Sequence, residues 1–260
     1  MTIQQIMPEL TTKLRKLELS GILSSLDIRN QEAIDNQMAY TEFLTLLAGD
    51  ELLARENRVY QRRLKLSNLS GFKTIENFDF KFNPRINQSL IRDLATGRFI
   101  SEKHPVLIIG PCGTGKSHIA QSLGLCAIRQ NASVLWLSQT ELLQDLQEAK
   151  ATGRYKGKIK SLVKIDLLII DDFGLKPLRN PQDEDLHDLI EKRYETKATI
   201  VTSNLALHEW IHAFPNQLLG AATIDRLQHN AYILTLEGMS YRQAKDAKTP
   251  GSSAHSIADT

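Results

Sequence analysis

Residues 110–117 read GPCGTGKS, directly after the apolar run Pro105–Ile109 and directly before a helical stretch. A strand that feeds a helix through a tight glycine-rich turn needs helices covering its sheet, so this segment points to an α/β fold. The glycines Gly110, Gly113 and Gly115, with Pro111, Cys112 and Thr114 between them, let the backbone wrap with its N–H groups inward at the positive end of the next helix. Lys116 would then reach the β- and γ-phosphates of a nucleoside triphosphate, and the Ser117 hydroxyl would ligate Mg²⁺, with His118 following on the helix. An ordinary glycine-rich turn is the competing reading. All eight positions match in the required strand–turn–helix setting, which favours phosphate binding. Cys112 occupies a variable position and reads as incidental.

The rest of the chain fits that reading. Strand candidates are 105–109, 133–137, 166–170, 198–202 and 232–236, mostly separated by helical stretches, which indicates a parallel sheet with crossover helices. Residues 1–66 show helical periodicity without strand signals: Leu14, Leu17 and Leu23 recur at near-helical spacing, and Thr41 is placed to cap a long helix. The segment 67–104 is turn-rich and aromatic and reads as a linker into the core at 105–242, and the small polar residues 243–260 read as a disordered tail. No apolar run reaches the roughly 18 residues of a membrane span. The N-terminus lacks a signal-peptide core. Cys112 and Cys126 are the only cysteines, which argues against a disulfide framework or a zinc site and for a reducing cytoplasm. A net charge of +2 is too small to imply nucleic acid, so that case rests on local clusters.

Three further stretches carry chemistry. KIDLLIIDDFG, residues 164–174, is an apolar strand ending in carboxylates: Asp171 is placed to hold Mg²⁺, and Asp172 to orient or deprotonate water. In TIVTSN, residues 199–204, a strand ends in a polar pair whose amide Asn204, or alternatively Ser203, would face the γ-phosphate; a plain Asx turn is the bland alternative. In AATIDRLQHNA, residues 221–231, Arg226 lies on a helix, either as a finger entering a neighbouring subunit or as a surface ion pair with Asp225 or another acid.

With these elements in order, the chain resembles the IstB family, ATP-binding transposition helpers of insertion sequences, in the DnaC-like branch of the AAA+ ATPases. The residues that carry the resemblance are GPCGTGKSHIA, DLLIIDDFG, TIVTSN and IDRL, with RRLKLSNLSGFKTIENFDFKF ahead of the core and GMSYR at 238–242 at its end; it spans about residues 5–243. It implies an AAA+ P-loop core with a five-stranded parallel sheet behind a small all-helical N-terminal domain. It implies Walker A at Gly110, Gly113, Gly115, Lys116 and Ser117, Walker B at Asp171 and Asp172, sensor 1 at Asn204 and an arginine finger at Arg226. Related ATPases usually carry Glu where this chain has Asp172, one methylene shorter, which implies slow hydrolysis. About 24 residues follow the last strand candidate, too few for a helical lid, which leaves Arg242 as a weak sensor-2 candidate.

Lys150–Lys164 contains Lys150, Arg154, Lys156, Lys158, Lys160 and Lys164 and no acid; with glycines at 153 and 157 it reads as an open strip that could lie along phosphates, or as a solvated loop. A second cluster includes Arg55, Arg58, Arg62 and Arg63, of which 55, 58 and 62 share a helix face that either binds DNA or is simply wet. The favoured function is an ATP- and Mg²⁺-dependent regulator that forms a homo-oligomer on double-stranded DNA, remodels it, and recruits or stimulates the transposase encoded by the same element, with ATP hydrolysis controlling assembly. In that reading the N-terminal unit clasps a neighbour, DNA or the partner. A helicase loader of the DnaC type shares the same core, and a small-molecule kinase is the reading from another class.

Overall fold

A computed structural model describes residues 3–83, 85–238 and 240–241. Arg242 and the expected tail at 243–260 lie outside the described residues. The chain divides into two units, Met1–Arg63 and the remainder from Leu64, and the division falls near the end of a long helix.

The first unit holds α1 (Ile3–Lys16), α2 (Ser20–Asp35) and most of α3 (Tyr40–Leu66). Leu14, Leu26 and Leu47 form its small core, with Leu10, Leu23 and Phe43 against them. Leu17 is exposed in the α1–α2 turn, so the leucine periodicity does not continue through it. Thr41 sits inside α3, which starts one residue before it. The N-terminus of α2 is capped from a distance: the buried Glu51 carboxylate on α3 accepts from Gly21 N–H at 2.6 Å and Ile22 N–H at 3.3 Å.

The second unit is a five-stranded all-parallel sheet of β1 (Val106–Ile109), β2 (Val134–Ser138), β3 (Leu167–Phe173), β4 (Ala198–Ser203) and β5 (Tyr232–Thr235), in the order β2-β3-β4-β1-β5. Its helices are α4 (Gln88–Ala95), α5 (Arg98–Ser101), α6 (Lys116–Arg129), α7 (Gln139–Ala151), α8 (Tyr155–Lys164), α9 (Gln182–Arg193) and α10 (Gln217–Gln228), with a short 3-10 helix at Leu207–Ala213. β1 and β4 are buried along their whole length, as helices on both faces of a parallel sheet require. The exposed edge of β2 is covered by the segment expected to be a linker: Trp136 N–H donates to Ser67 C=O at 2.8 Å. Among the described residues no helical domain follows β5, and no helix is long and apolar enough to cross a membrane.

Two features of this sheet bring the glycine-rich loop and the acidic strand end together. β4 lies between β1 and β3, so the turn after β4 opens between them. The pairing of β3 with β4 runs in register to Ile170↔Val201 and then shifts, resuming at Phe173↔Ser203. The extra residue is accommodated at Asp172, whose φ of 54° is left-handed, a conformation that costs a non-glycine residue about 1 kcal/mol.

Candidate functional site

The carboxyl ends of β1, β3 and β4 converge on a cavity of about 530 Å³. One wall is the loop and first turn of α6, from Cys112 to His118. At Gly115 the φ of +98° and a would-be Cβ only 2.6 Å from the Phe78 ring exclude any side chain. The Lys116 side chain is buried and curls over the loop, donating from Nζ to Pro111 C=O at 2.7 Å, while the Thr114 hydroxyl donates to the same carbonyl at 2.9 Å. The start of α6 leaves first-turn N–H groups without intrahelical acceptors, an arrangement suited to phosphate.

The acids come from β3. The Ser117 hydroxyl donates to Asp171 Oδ1 at 3.0 Å. The Thr202 hydroxyl on β4 donates to the same Asp171 oxygen and accepts from Asp172 N–H at 3.1 Å. Asp171 is buried behind the cavity, while Asp172 and Asn204 line it. Ser203, the alternate to Asn204, points away: its hydroxyl donates to Phe173 C=O at 2.6 Å. Ser117 and Asp171 therefore present two adjacent hard oxygen donors. That set suits Mg²⁺, which takes few protein ligands and completes its octahedron with water and phosphate oxygens. Among the described residues no cluster of three or more His, Cys, Asp or Glu side chains forms an all-protein metal site.

Aromatic residues beside the loop complete the lining, and apart from Tyr241 they come from the segment that the sequence alone suggests is linker. Phe78, Phe82 and Tyr241 line the cavity together with Lys73, Asn77 and Asn83. Phe82 meets Tyr241 edge-on at 5.0 Å, and Phe78 meets His118 at 5.3 Å. His118 Nε2 lies 2.8 Å from Thr74 C=O, so that nitrogen carries the proton. Tyr241 N–H donates to Gly113 C=O at 3.0 Å, and the Asn83 amide donates to Glu237 C=O. The alternating aromatics of FDFKF, residues 78–82, were the available signal, but nothing local in the sequence places them beside the loop.

Arg226 is not in this cavity. It lies in α10 beside a separate cavity of about 150 Å³ near the amino ends of the strands, lined also by Lys103, His104, Lys197 and His229. Within its own chain it donates to Ala222 C=O at 2.9 Å and pairs with Glu191 at 3.4 Å, rather than with Asp225.

The basic strip is not an open loop. Only residues 152–154 connect α7 to α8, and Tyr155–Lys164 is helical because Ile159 and Leu162 bury one side of it; Gly157 faces open space. Its cations fall into two groups. Lys150 pairs with the buried Asp185 at 2.5 Å, Lys158 pairs with Asp145 at 2.5 Å, and Arg154 donates to the Thr152 hydroxyl at 3.3 Å. Lys156, Lys160 and Lys164 are exposed, stand four residues apart on one face of α8, and make no ion pair among the described residues. In the first unit, Arg58 bonds Glu51 at 3.2 Å and the Ser20 hydroxyl; Arg62 is exposed and Arg63 half-buried.

A family model described as IstB-like ATP binding protein matches residues 12–249. The protein named as ATP-binding in insertion sequence IS232 of Bacillus thuringiensis is 34% identical over 235 residues, covering 90% of this chain and 94% of that one. Among solved structures, DnaA from Aquifex aeolicus bound to AMPPCP aligns with a TM-score of 0.57 at 20% identity, over 70% of this chain and 56% of the other. The DnaC helicase loader aligns with a TM-score of 0.51 at 20% identity, over 57% and 86%. At such identities the likeness to DnaA and DnaC is one of fold.

Proposed function

The chain belongs to the IstB-like ATP-binding family, and from that premise we propose that it is an ATP-dependent regulator of transposition that assembles on duplex DNA and recruits the transposase of its element. The observation that carries the ATPase half of this reading is the convergence of Lys116, Asp172 and Asn204 on one cavity that Phe78, Phe82 and Tyr241 also line. Phe78, Phe82 and Tyr241 offer ring faces and edges for a purine, and the loop wall suits its phosphates. Ser117 and Asp171 would hold Mg²⁺, which supplies charge neutralisation on the phosphate oxygens. Lys116 leaves the Pro111 carbonyl for the phosphates, Asp172 orients or deprotonates the attacking water, and Asn204 aligns it. The shorter Asp172 side chain favours slow turnover.

Arg226 lies away from this chain's own cavity, which supports a role at the cavity of a neighbouring copy. ATP held between copies would then favour assembly, and hydrolysis would weaken it. Lys156, Lys160 and Lys164 are the best-supported DNA contacts: exposed lysines in a row repeating every 6 Å or so along a helix can follow one strand's phosphates.

Sedimentation with duplex DNA, single-stranded DNA or none, each with ATP, ADP or no nucleotide, tests the reading. Large assemblies on duplex DNA that require ATP and vanish in Lys116→Ala are expected. A preference for single-stranded DNA would move the assignment to a helicase loader, and a monomer under all conditions would defeat it.

A further inference from the structure

The turn after the acidic pair is held by three side chains, and one of them comes from outside β3 and β4. Leu175 N–H donates to Asp172 C=O at 3.3 Å, and Gly174 in its third position has a φ of +76°, the signature of a type II turn. Asp172 and Leu175, the two ends of this turn, both line the nucleotide cavity. From β4, Thr202 takes Asp172 N–H and Ser203 takes Phe173 C=O. From the start of α7, the side chain of Gln139, only 3% exposed, straddles the turn: Oε1 accepts from Gly174 N–H at 2.8 Å and Nε2 donates to Lys176 C=O at 2.9 Å.

The same helix is tied to the basic face. Asp145, two turns along α7, pairs with Lys158 of α8 at 2.5 Å, and Lys150 at its far end holds the buried Asp185 of α9. α7 is a 13-residue helix, a rod of about 20 Å, packed on α8, α9 and β3. A displacement of α8 therefore has a direct mechanical route to Gly174, through a rod that ends in a buried amide bonded to both sides of the turn.

We propose that Gln139 is a positioning residue for ATP hydrolysis: it registers α7 and α8 against the Asp172 turn, so that DNA docked on α8 improves the placement of Asp172. The inference rests on the ATPase and DNA-binding reading above. Losing Gln139 removes the link while leaving Thr202 and Ser203 to hold the turn in its resting form. Misplacing a water-orienting carboxylate by a fraction of an ångström costs on the order of tenfold or more in rate.

The turn carries its own reporter. Trp210 is fully buried with its ring 4.5 Å from that of Phe173, and Trp136 is the only other tryptophan. In a Trp136→Phe background, the full chain is titrated with duplex DNA in the presence of a non-hydrolysable ATP analogue while Trp210 emission is followed. ATP affinity and steady-state hydrolysis with and without DNA are measured alongside. With Gln139 in place, DNA is expected to shift Trp210 emission and raise kcat. In Gln139→Ala both responses should vanish while ATP affinity stays within about twofold, the pattern of a lost positioning contact. Gln139→Glu, which keeps the acceptor for Gly174 N–H and loses the donor, should fall between them, and it decides the matter if the alanine variant does not fold. If the parent protein hydrolyses no ATP or ignores duplex DNA, the functional reading itself fails and this proposal with it. A parent that responds, with variants responding equally, would overturn the role of Gln139 alone.

Discussion

The Thr202 hydroxyl does two jobs at one point, donating to Asp171 and accepting from Asp172 N–H. Without it the Asp171 carboxylate loses a buried donor and the left-handed Asp172 loses the bond that offsets its strain. Thr202→Val is therefore expected to cut single-turnover hydrolysis roughly 10- to 100-fold with little change in ATP affinity, and Thr202→Ser to retain most of the rate. Retention of the rate in Thr202→Val with loss in Thr202→Ser would mean that volume rather than the hydroxyl matters. Lys116, Ser117, Asp171 and Asp172 were recognisable in the sequence because their spacing is local, within one strand–turn–helix or one strand end. Thr202 and Gln139 were not, because each acts on residues that strand order alone brings to it. In TIVTSN the eye goes to the terminal amide, yet the two hydroxyls before it are the ones that grip the acidic strand.

Helices carry the next set of expectations. Replacing Lys156, Lys160 and Lys164 together by alanine should flatten the salt dependence of duplex binding by up to about 3 in log–log slope, about one per lost phosphate contact. Lys158→Ala should leave that slope nearly unchanged, because Lys158 is engaged with Asp145. A competition series at several salt concentrations separates the two. In the first unit, the Arg55 guanidinium and the Gly21 and Ile22 N–H groups outweigh the opposing effect of burial and hold the Glu51 carboxyl down at about 2, against 4.5 for a free glutamate. Because the folded value is the lower one, this contribution is present above about pH 4.5 and is lost as pH falls toward 2. Protection of the Gly21 and Ile22 amides from hydrogen exchange, taken relative to the intrinsic rate at each pH, should fall over that window, and in Glu51→Gln should be weak already at neutral pH. The helical character of residues 1–66 was legible from apolar spacing. The capping role of Glu51 was not, since it joins residues 30 apart. The helix at 155–164 was missed because its glycine and lysines mask the two buried apolar positions, Ile159 and Leu162, that fix it.

At the level of the whole molecule, five strand segments could be read from the sequence, and all five form one parallel sheet. Their order could not, and it is the order that sets Asn204 between the loop and the acids and leaves Arg226 near the other end of the strands. That separation underlies the proposal that each copy completes its neighbour's site. The most direct test mixes two inactive proteins, Lys116→Ala, which keeps its arginine, and Arg226→Ala, which keeps its phosphate loop, and measures ATP hydrolysis on duplex DNA against each alone. If Arg226 acts in trans, mixed assemblies contain interfaces with an intact loop facing an intact arginine, and hydrolysis returns to as much as about a quarter of the parent rate at equal mixing. If the mixture is no more active than its components while the parent protein hydrolyses ATP, Arg226 does not serve a neighbour's nucleotide, and assembly is not controlled in the way proposed.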